Sequence, residues 1–175
     1  MTKKQIVRLE VEIASKPWER VGGLQKRLAE AAELTLSVLP ETLLPVARYA
    51  QLTVLLTTDK AVHKLNRDFR GFDKPTNVLS FPQFERKEIV QIGKQPPKDV
   101  QEIYVGDLAI AYDTVRKEAR AEEKELLDHL THLVIHGILH LFGFDHDTDG
   151  RAARMERLEK EVMATLGLPD PYEFL

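Results

Sequence analysis

The chain contains no cysteine. Disulfides and thiolate chemistry are therefore excluded, and histidines and carboxylates remain as the side chains able to ligate a metal. It also lacks any apolar run of about 18 residues, the length of a membrane span. Its first residues, Met1-Thr-Lys-Lys-Gln-Ile-Val-Arg-Leu-Glu-Val-Glu, alternate apolar and charged side chains, unlike the apolar stretch of a signal peptide. Together these absences predict a soluble, cytoplasmic protein with no membrane partner. Neither sign of charge dominates: 25 basic residues face 28 acidic ones for a net charge of -3. No global field draws in nucleic acid, so a polyanion site must be a local patch. Internal repeats and low-complexity tracts are absent as well.

What is present is one domain's worth of core, 43% hydrophobic over 175 residues. Ile6, Val7, Leu9, Val11 and Ile13 mostly alternate with charged residues, which predicts a half-buried strand. Leu24, Leu28, Ala31, Ala32, Leu36 and Leu39 recur at helical spacing within residues 23–39, and Pro40 ends that helix. Residues 51–58 form a β-branched apolar run, a buried strand. Thr58 or Asp59 caps the next helix, which carries Ala61, Val62, Leu65 and Phe69. Asn77 to Phe81, stopped by Pro82, reads as a third strand. Residues 84–101, polar and holding Gly93, Pro96 and Pro97, read as a long exposed hairpin loop. Ile103–Ile110 is a fourth strand, interrupted at Gly106 and Asp107. Helices follow over 111–123, 126–142 and 152–166. Four strands with about five helices make an α+β or mixed α/β single domain over residues 1–175.

Chemistry concentrates in His136-Gly-Ile-Leu-His140-Leu-Phe-Gly-Phe-Asp-His146. Residues four apart on a helix share a face, about 6 Å apart along the axis, so His136 and His140 suit one ion. Gly143 marks the helix end, where the chain can fold back and present His146. Three imidazoles with a fourth position for water make a catalytic zinc site rather than a structural one. His132 extends the stripe, but it lies about 12 Å from His140 along the axis, too far to share that ion. It is assigned to support of the site or to packing, and His63 and His129 to the surface. A ligating imidazole needs its other nitrogen held, and Asp107 and Asp145 are candidates; each is equally well a turn or capping residue.

Two other metal readings compete. Asp145, Asp147, Asp149, Gly150 and Glu156 match a calcium-loop pattern between two helices. Against it, Ala152 occupies a position that normally carries a larger aliphatic, no second loop exists, and Thr148 or Asp149 serves as a helix cap. The second is a zinc metallopeptidase, whose H-E-x-x-H motif puts a general base after the first histidine. Here that position is Gly137, which removes the proton acceptor and is expected to open room beside the metal.

A basic surface gathers from Lys60, Lys64, Arg67, Arg70 and Lys74. Lys60, Lys64 and Arg67 read as a solvated helix face. Arg70, in a segment rich in glycine and proline, is open to that reading and to a functional one, since a guanidinium forks onto phosphate beside a metal.

Three segments in order, Phe69 to Pro82, Gly106-Asp107 and His132 to His146, resemble the YbeY family of endoribonucleases. The resemblance runs from about residue 50 to 167, and the helix from Met155 resembles that family's closing helix. It implies a mixed four-stranded sheet with surrounding helices and a zincin-like helix-turn metal site. It further implies a zinc-dependent, single-strand-specific endoribonuclease. The expected roles are maturation of ribosomal RNA at the 3′ end of the small-subunit RNA and ribosome quality control, with single-stranded RNA, ribosomal RNA and the small ribosomal subunit as partners. One zinc would be held by His136, His140 and His146. Arg70 and His136 would be catalytic, and Lys74 and Asn77 would bind substrate. Departures are Phe144, where tyrosine is common, and the length of the polar 84–101 segment.

Overall fold

The computed structural model describes residues 8–173. Alternation yields β1 (Arg8–Ile13), whose Leu9, Val11 and Ile13 pack toward the main core while Glu10 and Glu12 turn away. Ile6 and Val7 of the expected strand lie outside the described residues. The buried apolar run becomes β2 (Ala50–Thr57), and β3 (Val78–Pro82) and β4 (Ile103–Ala111) complete the sheet. Strand order is β1-β2-β4-β3, with β1, β2 and β4 mutually parallel and β3 antiparallel to β4, so the four-stranded sheet is mixed.

The described residues hold eight helices rather than about five. They are α1 (Lys16–Glu19), α2 (Leu24–Ser37), α3 (Leu44–Ala47), α4 (Asp59–Arg70), α5 (Arg86–Lys94), α6 (Tyr112–Ala121), α7 (Leu126–Leu141) and α8 (Asp149–Thr165). Both α1 and α3 are single turns with a proline in the first turn, too short to show a period. The third unexpected helix, α5, corrects the reading of 84–101 as a hairpin loop. Glu85 and Glu88 form a reciprocal capping box there, and Ile89 is fully buried beneath an otherwise polar surface.

One face of the sheet, carrying Leu52, Val54, Leu56, Leu108 and Ile110, packs into the main core with α2, α7 and α8. The other carries a smaller cluster in which Val62 of α4 meets Leu79, Ala109 and Ala111. Helix α7 runs through the main core and buries Leu130, Val134, Ile135, Ile138, Leu139 and Leu141 completely, each worth about 1.5–3 kcal/mol. The stripe His132, His136 and His140 is a seam that this burial leaves half-open.

Candidate metal centre

Local structure delivers the third histidine. Helix α7 ends at Leu141, and Gly143 follows with φ +83°, a left-handed conformation that reverses the chain. A Cβ at that glycine would lie 2.6 Å from the Cβ of Arg86, so the turn also packs against α5. Arg86 clamps the loop further: its Nη1 donates to the Phe142 carbonyl at 3.2 Å, and its guanidinium covers the Phe144 ring at 4.6 Å. Beyond this clamp His146 swings back to the seam. Ligand nitrogens of His136, His140 and His146 all lie within 4.8 Å of one another, and His146 faces solvent.

Hydrogen bonds fix which nitrogen of each α7 ligand faces the centre. His140 Nδ1 lies 2.8 Å from the Phe144 carbonyl, which only accepts, so Nδ1 carries the proton and Nε2 the lone pair. His136 Nδ1 donates at 2.6 Å to Oε1 of Glu159, leaving its Nε2 a lone pair as well. The two Nε2 atoms are 3.0 Å apart. Two lone pairs facing each other at that distance repel unless a cation lies between them, and the gap suits nitrogens about 2.0–2.1 Å from one ion. The donor set thus fits a metal. Burial, with the neighbouring His136 adding to it, lowers the His140 pKa to about 4, so this imidazole is neutral and ligand-ready at neutral pH.

Glu159, on α8, is the supporting carboxylate that sequence reasoning missed. It is fully buried and also receives His132 Nε2 at 3.2 Å and the Tyr172 hydroxyl. Burial alone would raise its pKa; the hydrogen bonds from His132 and His136 overcome this and hold it near 2. Burial first, and then Glu159, pushes Tyr172 well above its ordinary range. A signal for Glu159 did exist: it stands in the apolar stripe of α8 between Met155, Leu158, Val162 and Met163, where an acidic side chain needs partners.

Asp107 and Asp145 do not hold the imidazoles, which corrects that expectation. A register irregularity opposite Gln51 and Leu52 puts Tyr104 and Asp107 on the same face of β4, away from α7, and Asp107 accepts from the Tyr104 hydroxyl. Asp145 accepts from the backbone of Asp147 and from Arg151 at 3.1 Å. Thr148 caps α8 by accepting from the Arg151 amide, and the calcium-loop acids form no metal cluster among the described residues. His129 is not a surface residue either: it is 5% exposed and binds Glu118 at 2.8 Å. Gly137 opens no room beside the metal. A Cβ there would meet Leu108 at 2.7 Å, so the position faces the sheet and the base of a peptidase motif has no space.

A cleft of about 610 Å³ joins the three histidines to Arg70, Lys74 and Asn77. Arg70 is the last residue of α4, where Gly71 in a left-handed conformation turns the chain, and its Nη1 donates to the Ser80 carbonyl at 3.1 Å. Asn77 lines the cleft, but its amide nitrogen is bound to Glu118 at 3.1 and 3.2 Å and its oxygen to the Val78 amide. It therefore anchors the 71–77 segment from one end. Asn66, buried on α4, anchors the other by donating to the Lys74 carbonyl at 2.9 Å.

Comparison with known proteins assigns this arrangement. The family described as Endoribonuclease YbeY matches residues 18–167. The chain belongs to that family. An endoribonuclease YbeY of Nitrobacter hamburgensis is 41% identical over 163 residues, covering 93% of this chain and 80% of the relative. One from Sphingopyxis alaskensis is 42% identical over 160 residues, covering 91% and 94%. The fold is also similar to a solution structure from Thermotoga maritima, with TM-score 0.50 and 24% identity over 96% of this chain and 99% of the other. As a YbeY endoribonuclease the protein is a hydrolase acting on RNA, and its triad of histidines is placed so that it could hold a metal ion. Among the described residues no helix is long and apolar enough to cross a membrane.

Proposed function

We propose that this YbeY endoribonuclease depends on one zinc per chain and cleaves single-stranded RNA in the cytoplasm. Its substrate is ribosomal RNA, at the 3′ end of the small-subunit RNA, and its partner in quality control is the small ribosomal subunit. The observation that carries the chemistry is the pair of Nε2 lone pairs converging beside His146, in the cleft that also holds Arg70. His136, His140 and His146 would hold the zinc, which when bound would supply a water of lowered pKa or Lewis-acid polarisation of a phosphoryl oxygen. His136 is held by Glu159 in the tautomer that such binding needs. Arg70, tethered through one nitrogen to Ser80, keeps further N–H groups for the phosphate and stabilises the charge that develops on it. Lys74 adds a second positive charge to the cleft, and Asn77 positions the segment that carries it.

Metal analysis of the purified protein, paired with cleavage of a single-stranded RNA, tests this reading. His136→Ala should lose zinc and activity together, whereas Arg70→Glu should keep zinc and lose cleavage. Full cleavage by metal-free Arg70→Glu protein, freed of contaminating nucleases, would refute it.

A further inference from the structure

Three large hydrophobic side chains are exposed among the described residues: Phe69 at 72%, Phe72 at 54% and Tyr104 at 37%. Two have local partners. Tyr104 gives its hydroxyl to Asp107, and Phe69 meets the Phe81 ring edge-on, at 6.1 Å between centroids. Phe72 differs because it lines the cleft of the histidine triad and Arg70.

The backbone that carries this ring is fixed on both sides. Phe72 N donates to the Asn66 carbonyl at 3.2 Å, and its own carbonyl accepts from the Lys74 amide at 2.9 Å. Asn66 then closes the turn through the Lys74 carbonyl. The Lys74 ammonium lies 5.5 Å from the ring centroid, on one face. An apolar ring held in place and half-exposed in a cationic cleft is the construction that binds unpaired bases, since every base offers a flat π face. A base inside a duplex has both faces covered by its neighbours and offers none.

We infer that Phe72 is a positioning residue that stacks on an unpaired base of the RNA bound in this cleft, so that it contributes to selection of single strands. This rests on the endoribonuclease reading and adds to it the group that recognises the strand state. Its occupant is a nucleobase rather than a protein surface, because Arg70 and Lys74 in the same cleft suit the phosphates that accompany such a base.

The test measures binding and cleavage of a short fluorescein-labelled single-stranded RNA, and of matched strands with one abasic ribose walked along the sequence. Circular dichroism and thermal melting confirm that each variant is folded. Phe72→Ala should raise Kd by about 5- to 150-fold, the range for one lost stacking contact. It should also raise KM more than it lowers kcat, and Phe72→Trp should restore both. At one position the abasic ribose should weaken wild-type binding by a similar factor and leave Phe72→Ala unaffected. Wild-type binding and cleavage by folded Phe72→Ala would overturn the inference. So would an abasic scan in which both proteins lose affinity equally, or a variant that loses only self-association while RNA binding is kept. Failure of the wild-type protein to bind or cleave RNA would instead refute the endoribonuclease reading itself.

Discussion

Replacing Glu159 by glutamine separates charge from geometry at the metal centre. The substitution keeps the side chain's size, and the amide oxygen can still accept from His136 Nδ1 and His132 Nε2, now 2.6 and 3.2 Å from Oε1. The amide nitrogen can donate to the Tyr172 oxygen, so each residue now bonded to Glu159 keeps a contact with it and the His136 tautomer is retained. What disappears is a full negative charge in a site with no solvent contact, and with it the electron density that makes the imidazole a stronger ligand. Removing such a supporting group typically weakens metal binding by about 10- to 100-fold, or about 1.4–2.7 kcal/mol. Competition for zinc against a chromogenic chelator, on protein shown to be folded, measures this directly. Glu118→Gln is the control, since Glu118 pairs with His129 in the same way but touches none of the three ligands. Equal zinc affinity for Glu159→Gln and the wild type would refute the electrostatic reasoning. An equal loss in Glu118→Gln would show the effect to be nonspecific.

Gly137→Ala places a Cβ 2.7 and 2.8 Å from the two methyls of the fully buried Leu108. Overpacking costs about 1–3 kcal/mol, offset by about 0.5–1 kcal/mol of helix propensity. The melting temperature should fall while zinc stoichiometry is kept, and an unchanged melting temperature would show that the interface with β4 is looser than described. Acid should weaken the metal-free protein in two windows. The pKa of His140 is lowered from 6.5 to about 4, so the unfolded chain takes up the proton first, and stability complete above 6.5 declines as pH falls toward 4. Glu159, lowered from 4.5 to about 2, contributes stability above 4.5 that is lost as pH falls from there toward 2. Denaturant titrations across that range check the sign, and stability independent of pH from neutrality to pH 4 would contradict it.

The histidine triad was legible because its information is local. His136 and His140 are four apart on a helix, and Gly143 signals the reversal that brings His146 back. Arg70 and Lys74 were legible as a basic segment, and the cleft joins them to the triad. The supporting carboxylate was not, because Glu159 reaches His136 only through the packing of α8 on α7, 23 residues away in the chain. Asp107 misled because adjacency to a sheet strand does not say which face a residue occupies, and the irregularity in β4 decides that. Helix α5 was hidden by Gly93 and the two prolines after it, although the spacing of Glu85 and Glu88 was a readable start signal. His129 shows the same limit, since its partner Glu118 comes from α6 rather than from its own helix.

The Glu159 hydrogen bonds make α8 more than a cover for the core. Its docking and the filling of the metal site are linked equilibria: a metal that prefers the oriented His136 favours the seated helix, and whatever seats the helix tightens the metal by the same factor. Tyr172 extends this linkage to the segment after α8, whose hydroxyl completes the shell around the same carboxylate. A contact on the outer surface of that segment therefore has a thermodynamic route to the cleft without touching the RNA.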